Sequence, residues 1–346
     1  MAKGIPTPGW VPLKRRAVAI AQPLSAILEL TYGCNWRCVF CYNPRHHDPR
    51  GLTGAEWIAV LDDLRALGTL TVTLTGGESL LHRDFLAIAR AARARSLAVR
   101  VFTNGALVDE AMADALAGLD PVGVELSLHG ATAETHDRTT GRPGSFAALL
   151  EGLARLQRRG LRLLLKTPLT RLNEHELEAV VDLVDALGVA HKLDAVINPR
   201  DDGDLGPLGY RASPAGVERM YRLVAERGRL PHTDREPGMV NCGLGRITLA
   251  VDPEGNVYPC LQWKRTSLGN VRRTPLRELW HGSLERQEAA RVALEANEAV
   301  RGMGEAVSSF PYCPALAFQT TGDPLRPDPF HVEQAETVAR LRAGPA

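Results

Sequence analysis

The sequence predicts an α/β protein, a partial (β/α)6 parallel barrel followed by a small C-terminal α+β extension. Three observations predict it. Six short apolar or β-branched runs alternate with helical periods between residues 25 and 198, the pattern of parallel βα units. The distinctive cysteine, glycine and polar residues of this half follow the ends of successive runs, which is where ligands gather in such sheets. After Asn198 a polar, Gly- and Pro-rich passage reaching Pro214 interrupts the rhythm, and a hairpin pattern takes over downstream.

Taken in order, residues 1–24 carry Pro6, Pro8, Pro12 and Pro23 with a basic patch at Lys14, Arg15 and Arg16, and are expected to form an extended arm. Strands are expected at 26–30, 70–74, 98–102, 122–126, 161–166 and 191–196. Amphipathic helices separate them, with stripes such as Trp57, Val60, Leu61, Leu64 and Leu67, or Leu177, Val180, Val181, Val184 and Leu187. Thr53 and Asn173 are placed as N-caps, and Gly68, Gly160 and Gly188 as C-terminal stops. The barrel is thus expected over 25–198, a linker with one helix (217–227) over 199–239, the extension over 240–325, and a helix or tail over 326–346.

At 346 residues the chain is long enough for one large domain and a smaller one. Forty-one Lys and Arg nearly balance forty Asp and Glu, so no long-range field favours nucleic acid or an anionic membrane. No apolar stretch is long enough to span a bilayer, and the first residues lack a signal-peptide core, so a cytoplasmic protein is expected. All six cysteines fall in two groups, which in a reducing compartment favours metal ligation over disulfides.

The first group, Cys34, Cys38 and Cys41, places three thiols within eight residues directly after the first strand. Three cysteines can hold an iron–sulfur cluster and leave one iron open, since four-iron clusters ordinarily take four thiolates. A zinc site using His46 or His47 as fourth ligand is the competing reading. The CxxxCxxC spacing, with the aromatic Phe40 before the last cysteine, resembles the radical S-adenosylmethionine (radical SAM) enzymes, and so does the order of loops behind it: Gly76-Gly77-Glu78, Thr103-Asn104-Gly105 and Ser127-Leu128-His129-Gly130 after the second, third and fourth strands. That resemblance implies a [4Fe-4S] cluster on Cys34, Cys38 and Cys41 whose open iron is chelated by S-adenosylmethionine. It further implies that Gly76, Gly77 and Glu78 receive the methionyl amino group, that Phe40 packs on the adenine, that Ser127 touches the ribose, and that Asn104 belongs to the same binding site. Arg138 is the candidate partner of the methionyl carboxylate, with Arg142 competing.

Downstream, Cys242, an alternating run at 247–251, a turn at 252–256 and Cys260 form a hairpin pattern whose base would bring the two thiols together. With residues 268–280 this is similar to the SPASM and twitch extensions, which hold auxiliary iron–sulfur clusters. The chain departs from the fuller pattern, because Cys313 is the single cysteine that follows. The resemblance therefore implies at most one auxiliary [4Fe-4S] cluster, on Cys242, Cys260 and Cys313. Its fourth ligand is open among Asp323, a histidine, water and substrate. A degenerate extension holding zinc or nothing is the alternative.

The function implied is a radical SAM oxidoreductase that cleaves S-adenosylmethionine reductively and abstracts hydrogen from a substrate, foremost a ribosomally made peptide. A small metabolite, such as a tetrapyrrole, quinone precursor or sugar, is the alternative within the enzyme class, and a non-catalytic metal-binding scaffold the alternative outside it. Expected partners are the substrate, a low-potential donor of flavodoxin or ferredoxin type, and a separate peptide-recognition protein. Membrane and nucleic-acid partners are disfavoured.

Overall fold

In the computed structural model of the protein, residues 10–47, 51–233 and 241–344 are described. Six parallel strands follow one another in sequence order: β1 (Ser25–Glu29), β2 (Thr71–Thr75), β3 (Ala98–Thr103), β4 (Gly123–Ser127), β5 (Leu163–Pro168) and β6 (Ala190–Asp194). Each matches an expected strand to within a few residues. Helices α2 (Gly54–Ala66), α3 (Phe85–Ala94), α4 (Glu110–Leu119), α5 (Ala133–Thr140), α6 (Ser145–Arg158) and α7 (Leu177–Leu187) connect them. Alternate strand residues such as Val72, Leu74, Val99, Val101, Val124, Leu126 and Leu165 are fully buried with helical residues including Trp57, Leu61, Leu64, Ile88, Leu116 and Leu156 in one core. Each fully buried aliphatic side chain there contributes about 1.5–3 kcal/mol. The intervening strand residues therefore line the opposite, concave face.

The C-terminal part does not stand apart from the barrel. Strand β7 (Thr248–Val251) pairs parallel to β1, Ser25 opposite Thr248, and β8 (Asn256–Tyr258) and β9 (Gly269–Asn270) extend the sheet antiparallel, giving the order β6-β5-β4-β3-β2-β1-β7-β8-β9. Helix α8 (Pro214–Glu226) leads out of the barrel, and α9 (Leu276–Gly282), α10 (Leu284–Arg301), α11 (Glu305–Ser308), α12 (Pro314–Thr321) and α13 (Pro329–Ala343) complete the chain. Among the described residues no helix is long and apolar enough to cross a membrane.

Two expectations are corrected. The supposed extended arm contains helix α1 (Trp10–Ala19). Pro12 sits in its first turn, where a missing N–H costs nothing, and the seven residues after it contain no Pro or Gly. Pro6 and Pro8 lie outside the described residues. Asn173 stands at the N-cap position of the short 3-10 turn Glu174–Glu176, but its side chain does not cap it: its Oδ1 accepts from Thr170 N–H at 2.8 Å while its Nδ2 donates to the carbonyls of His129 and Pro168, so it stitches the β4 and β5 loops together. Thr53, by contrast, caps α2 through a reciprocal capping box with Glu56.

Candidate active site

The cysteine loop is built by the loop after β2 reaching across to it. Gly77 N–H donates to Thr31 O at 2.7 Å and Glu78 N–H to Gly33 O at 2.8 Å. Glycine is required at both positions: a Cβ on Gly76, which has φ +137°, would lie 2.3 Å from Thr31 O, and one on Gly77 would lie 2.3 Å from Gly33 O. The close approach that these glycines permit is thus between two backbones. On its other side the loop is held by α5, with Arg37 N–H donating to Thr140 O (2.7 Å) and Val39 N–H to Thr139 O (3.0 Å). The Arg37 guanidinium folds back onto the carbonyls of Cys34 and Trp36.

Held this way, Cys34, Cys38 and Cys41 are free, half-buried and close enough to influence one another's charge. Burial pushes the Cys34 thiol up to about 11, and raises Cys38 and Cys41 as well. Ligation must therefore displace protons, and a cationic group is what would offset the buried thiolates. Cys38 and Cys41 open onto a cavity of about 240 Å³ also lined by Arg37, Asn43, His46 and Arg200. The donor set of three soft thiols from one loop beside a cavity fits an iron–sulfur cluster with a fourth, non-cysteine position. Among the described residues no three Cys, His, Asp or Glu side chains are grouped to hold a single metal ion.

Around this loop the strand ends supply a connected polar rim. The Glu78 carboxylate, 1% exposed, accepts from Leu80 N–H (3.0 Å), Thr103 Oγ1 (2.8 Å) and Asn104 N–H (2.7 Å). Burial nevertheless raises its pKa. Asn104 passes the connection on, its Nδ2 donating to Asn35 Oδ1 at 2.6 Å. Phe40 and His129 pack edge to face with ring centroids 5.3 Å apart, and Trp36, His129 and His136 form a buried aromatic cluster of edge-to-face and tilted contacts behind it. Burial lowers His129 to about 3 and His136 to about 4, so both are neutral, and His136 Nδ1 accepts from His129 N–H.

Cys34, Cys38, Cys41, Phe40, Gly76, Gly77, Glu78 and Asn104 are thus brought together, with Ser127 ending β4 on the same rim. Arg138 lies on the exposed side of α5 and donates to Leu172 O at 3.2 Å; Arg142 is exposed beyond the helix end.

Two charged clusters escaped the sequence reading. On the concave face Glu125 receives Arg100 (3.1 Å) and Lys166 (2.5 Å), with the Lys166 ammonium 3.2 Å above the Phe102 ring. Where the C-terminal part meets β1, Lys264 is 9% exposed and bridges Glu29 (2.7 Å) and Asp201 (2.5 Å), and Tyr42 OH donates to Glu29. The signal for the second was Glu29 itself, a charge set inside an apolar strand.

The second thiol group also converges. Cys242, Cys260 and Cys313 pack on one cluster formed by Leu244, Trp263, Ala289, Val292, Ala293 and Ala315. Burial, then the neighbouring Cys313, pushes Cys260 up to about 11, and the Cys313 sulfur accepts from Leu316 N–H at the start of α12. Asp323 is exposed and its carboxylate accepts from Leu325 N–H in its own turn.

Comparison with known proteins agrees with both halves. Residues 28–184 match the radical SAM superfamily model, and residues 242–304 match SPASM, an iron–sulfur cluster-binding domain. The chain is 30% identical over 331 residues to the PqqA peptide cyclase of Methylocella silvestris, covering 90% of this chain and 88% of the relative. It is 28% identical over 336 residues to the AdoMet-dependent heme synthase of Methanosarcina barkeri, covering 87% and 94%. Among solved structures, anSMEcpe with bound AdoMet and Cp18Cys peptide superposes with a TM-score of 0.71 at 16% identity (92% of this chain, 98% of that one), and Streptococcus suis SuiB bound to precursor peptide SuiA with 0.65 at 14% (81% and 71%). At these identities the structures speak for the fold alone. The protein is an enzyme that works with a [4Fe-4S] cluster, S-adenosylmethionine and an auxiliary cluster, and it belongs to the radical SAM superfamily with a C-terminal SPASM domain.

Proposed function

We propose that the protein is a peptide maturase, which removes hydrogen from a side chain or backbone carbon of a ribosomally made peptide. The observation that carries this reading is the likeness over nine-tenths of the chain to a peptide cyclase. A four-iron cluster with S-adenosylmethionine supplies one-electron cleavage of the sulfonium and a 5′-deoxyadenosyl radical. The remaining tasks fall to the chain. Cys34, Cys38 and Cys41 hold the cluster, and the Gly76 to Glu78 segment, braced by Asn104 and Asn35, offers backbone groups to the methionyl amine. Phe40 and Ser127 flank the nucleoside, and Arg138, or Arg142 in its place, takes the carboxylate. Cys242, Cys260 and Cys313 would hold the auxiliary cluster, which would supply an electron acceptor or an anchor for the substrate. On the concave face the Arg100 and Lys192 side chains are about half exposed and so within reach of a bound substrate. A low-potential flavodoxin- or ferredoxin-type donor supplies the electron, a separate protein assists peptide recognition, and the cytoplasm is the compartment.

The likeness to a heme synthase favours a second reading, in which the substrate is a small metabolite. Anaerobic turnover with peptides encoded near the gene separates the two. Loss of two hydrogens from a peptide supports maturation, whereas no mass change in any such peptide, with turnover of a tetrapyrrole instead, contradicts it.

A further inference from the structure

Strand β6 is the last strand of the sheet, and among the described residues its outer edge pairs with nothing. Leu169 N–H donates to Asp194 O, so the polar groups of Asp194 and, two residues back, Lys192 point toward β5. By the alternation of a strand, those of His191 and Leu193 point toward the free edge. An unpaired edge of this kind is ordinarily blunted by shortness, a lysine, proline, a bulge or a covering segment; β6 is short and carries Lys192, but the residues from Ala190 to Asn198 contain no proline.

Two cavities, of about 500 and about 520 Å³, lie along this edge. They share Lys192, Leu193, Val224 and Arg229 and so form one groove between β6 and α8. It follows the chain from Ala190 to Asn198, of which the strand Ala190–Asp194 spans roughly 15 Å. One wall is apolar, with Met220, Tyr221, Phe310 and Phe330, and the inner end reaches Cys313. Three of its basic groups are neutralised in place, Lys192 by Asp194, Arg211 by Asp328 and Arg227 by Asp185. Among the described residues Arg229, shared by both cavities, makes no ion pair and leaves the groove one positive charge in excess.

These features select the occupant. Alternating donors and acceptors at strand spacing match those of another extended backbone. A narrow groove walled by α8 admits a single extended chain, whereas a second copy of the protein would have to bring its own α8 past the first. The excess cation calls for a carboxylate. We propose that the groove along β6 is a docking track for an extended peptide segment bearing an acidic side chain, which adds a strand to β6, sets its carboxylate against Arg229 and leads the chain toward Cys313. The proposal rests on the peptide reading and names where the part of the substrate beyond the reacting residue is held.

The test uses the cluster-loaded full chain and fluorescein-labelled overlapping peptides covering the small open reading frames beside the gene. A peptide that the enzyme modifies is expected to bind the wild type and to protect the amides of His191 and Leu193 from hydrogen exchange. Val224→Trp, which fills the shared section of the groove, and Arg229→Glu are each expected to weaken binding at least about tenfold, the equivalent of about 1.4 kcal/mol. Replacing the peptide's acidic residue by lysine is expected to restore binding to Arg229→Glu. Neither variant should change peptide-independent cleavage of S-adenosylmethionine. If a peptide is modified but binds both variants as it binds the wild type, or if β6 is protected without peptide in a dimer, the docking track is wrong while peptide maturation stands. If no peptide is bound or modified, both fall.

Discussion

Replacing Lys264 by Met would remove the cation that bridges Glu29 and Asp201, at the point where the C-terminal part meets β1 and the end of the cysteine loop. All three groups are largely buried, with side-chain exposures of 9%, 2% and 18%. Burial, opposed by Lys264, already raises Asp201 to about 6. Burial works against the Lys264 charge too, but Glu29 and Asp201 outweigh it and hold its pKa above the ordinary value. Removing one partner of a buried pair costs about 3–5 kcal/mol, because the other is left charged and dry. The sign of the pH dependence follows from Asp201. Its folded pKa exceeds the unfolded value of about 3.9, so its contribution is fully present below about pH 4 and is lost as pH rises through about 6. Without Lys264 that pKa climbs further, and the loss extends to higher pH. The expected cost is therefore largest at pH 8, at about 3–5 kcal/mol, and smaller at pH 5, where Asp201 is protonated and Glu29 alone loses its cation. Anaerobic urea unfolding followed by tryptophan fluorescence at the two pH values reads it. A cost below about 1 kcal/mol at pH 8, or one equal at both pH values, would refute the reasoning.

Gly77→Ala drives a Cβ into the carbonyls of Gly33 and Tyr32, at 2.3 and 2.5 Å, and should displace the cysteine loop; iron bound per chain after reconstitution is expected to fall toward that of the auxiliary site alone. Glu78→Gln keeps one acceptor oxygen and turns its amide N–H₂ toward either Asn104 N–H or the Leu80 and Thr103 donors in a site 1% exposed, and denaturant unfolding should show a loss of about 1–3 kcal/mol. With Cys34, Cys38 and Cys41 all changed to Ala, about four irons should remain on Cys242, Cys260 and Cys313; near-zero iron would mean that these thiols do not hold a cluster.

The barrel was legible because its strands are short apolar runs separated by amphipathic helices, and both periods are local. Pairing over long sequence distance was not. The run at 247–251 announced a hairpin, yet nothing in it says that Thr248 lies opposite Ser25, since that choice is made by the whole sheet. Helix α1 was hidden by counting prolines without placing them, although Pro12 occupies the one part of a helix that tolerates it. In the site, the spacing of Cys34, Cys38 and Cys41 is a local signal and survives. The role of Gly76 and Gly77 was legible as a need for close approach, but their partners, Thr31 and Gly33, appear once the two loops are seen together. Glu29, Asp201 and Lys264 come from three distant segments, and Glu125, Arg100 and Lys166 from three strands, so neither cluster has a sequence motif.

The account's central claim is that this enzyme takes a hydrogen atom from a peptide. Turnover with overlapping peptides synthesised from residues deuterated on carbon, followed by mass analysis of the 5′-deoxyadenosine released, tests it most directly. The account predicts 5′-deoxyadenosine one mass unit heavier with one peptide, together with the matching loss from that peptide, and neither product when Cys34, Cys38 and Cys41 are replaced by Ala. Unlabelled 5′-deoxyadenosine with every peptide, alongside deuterium transfer from a small metabolite, would contradict it.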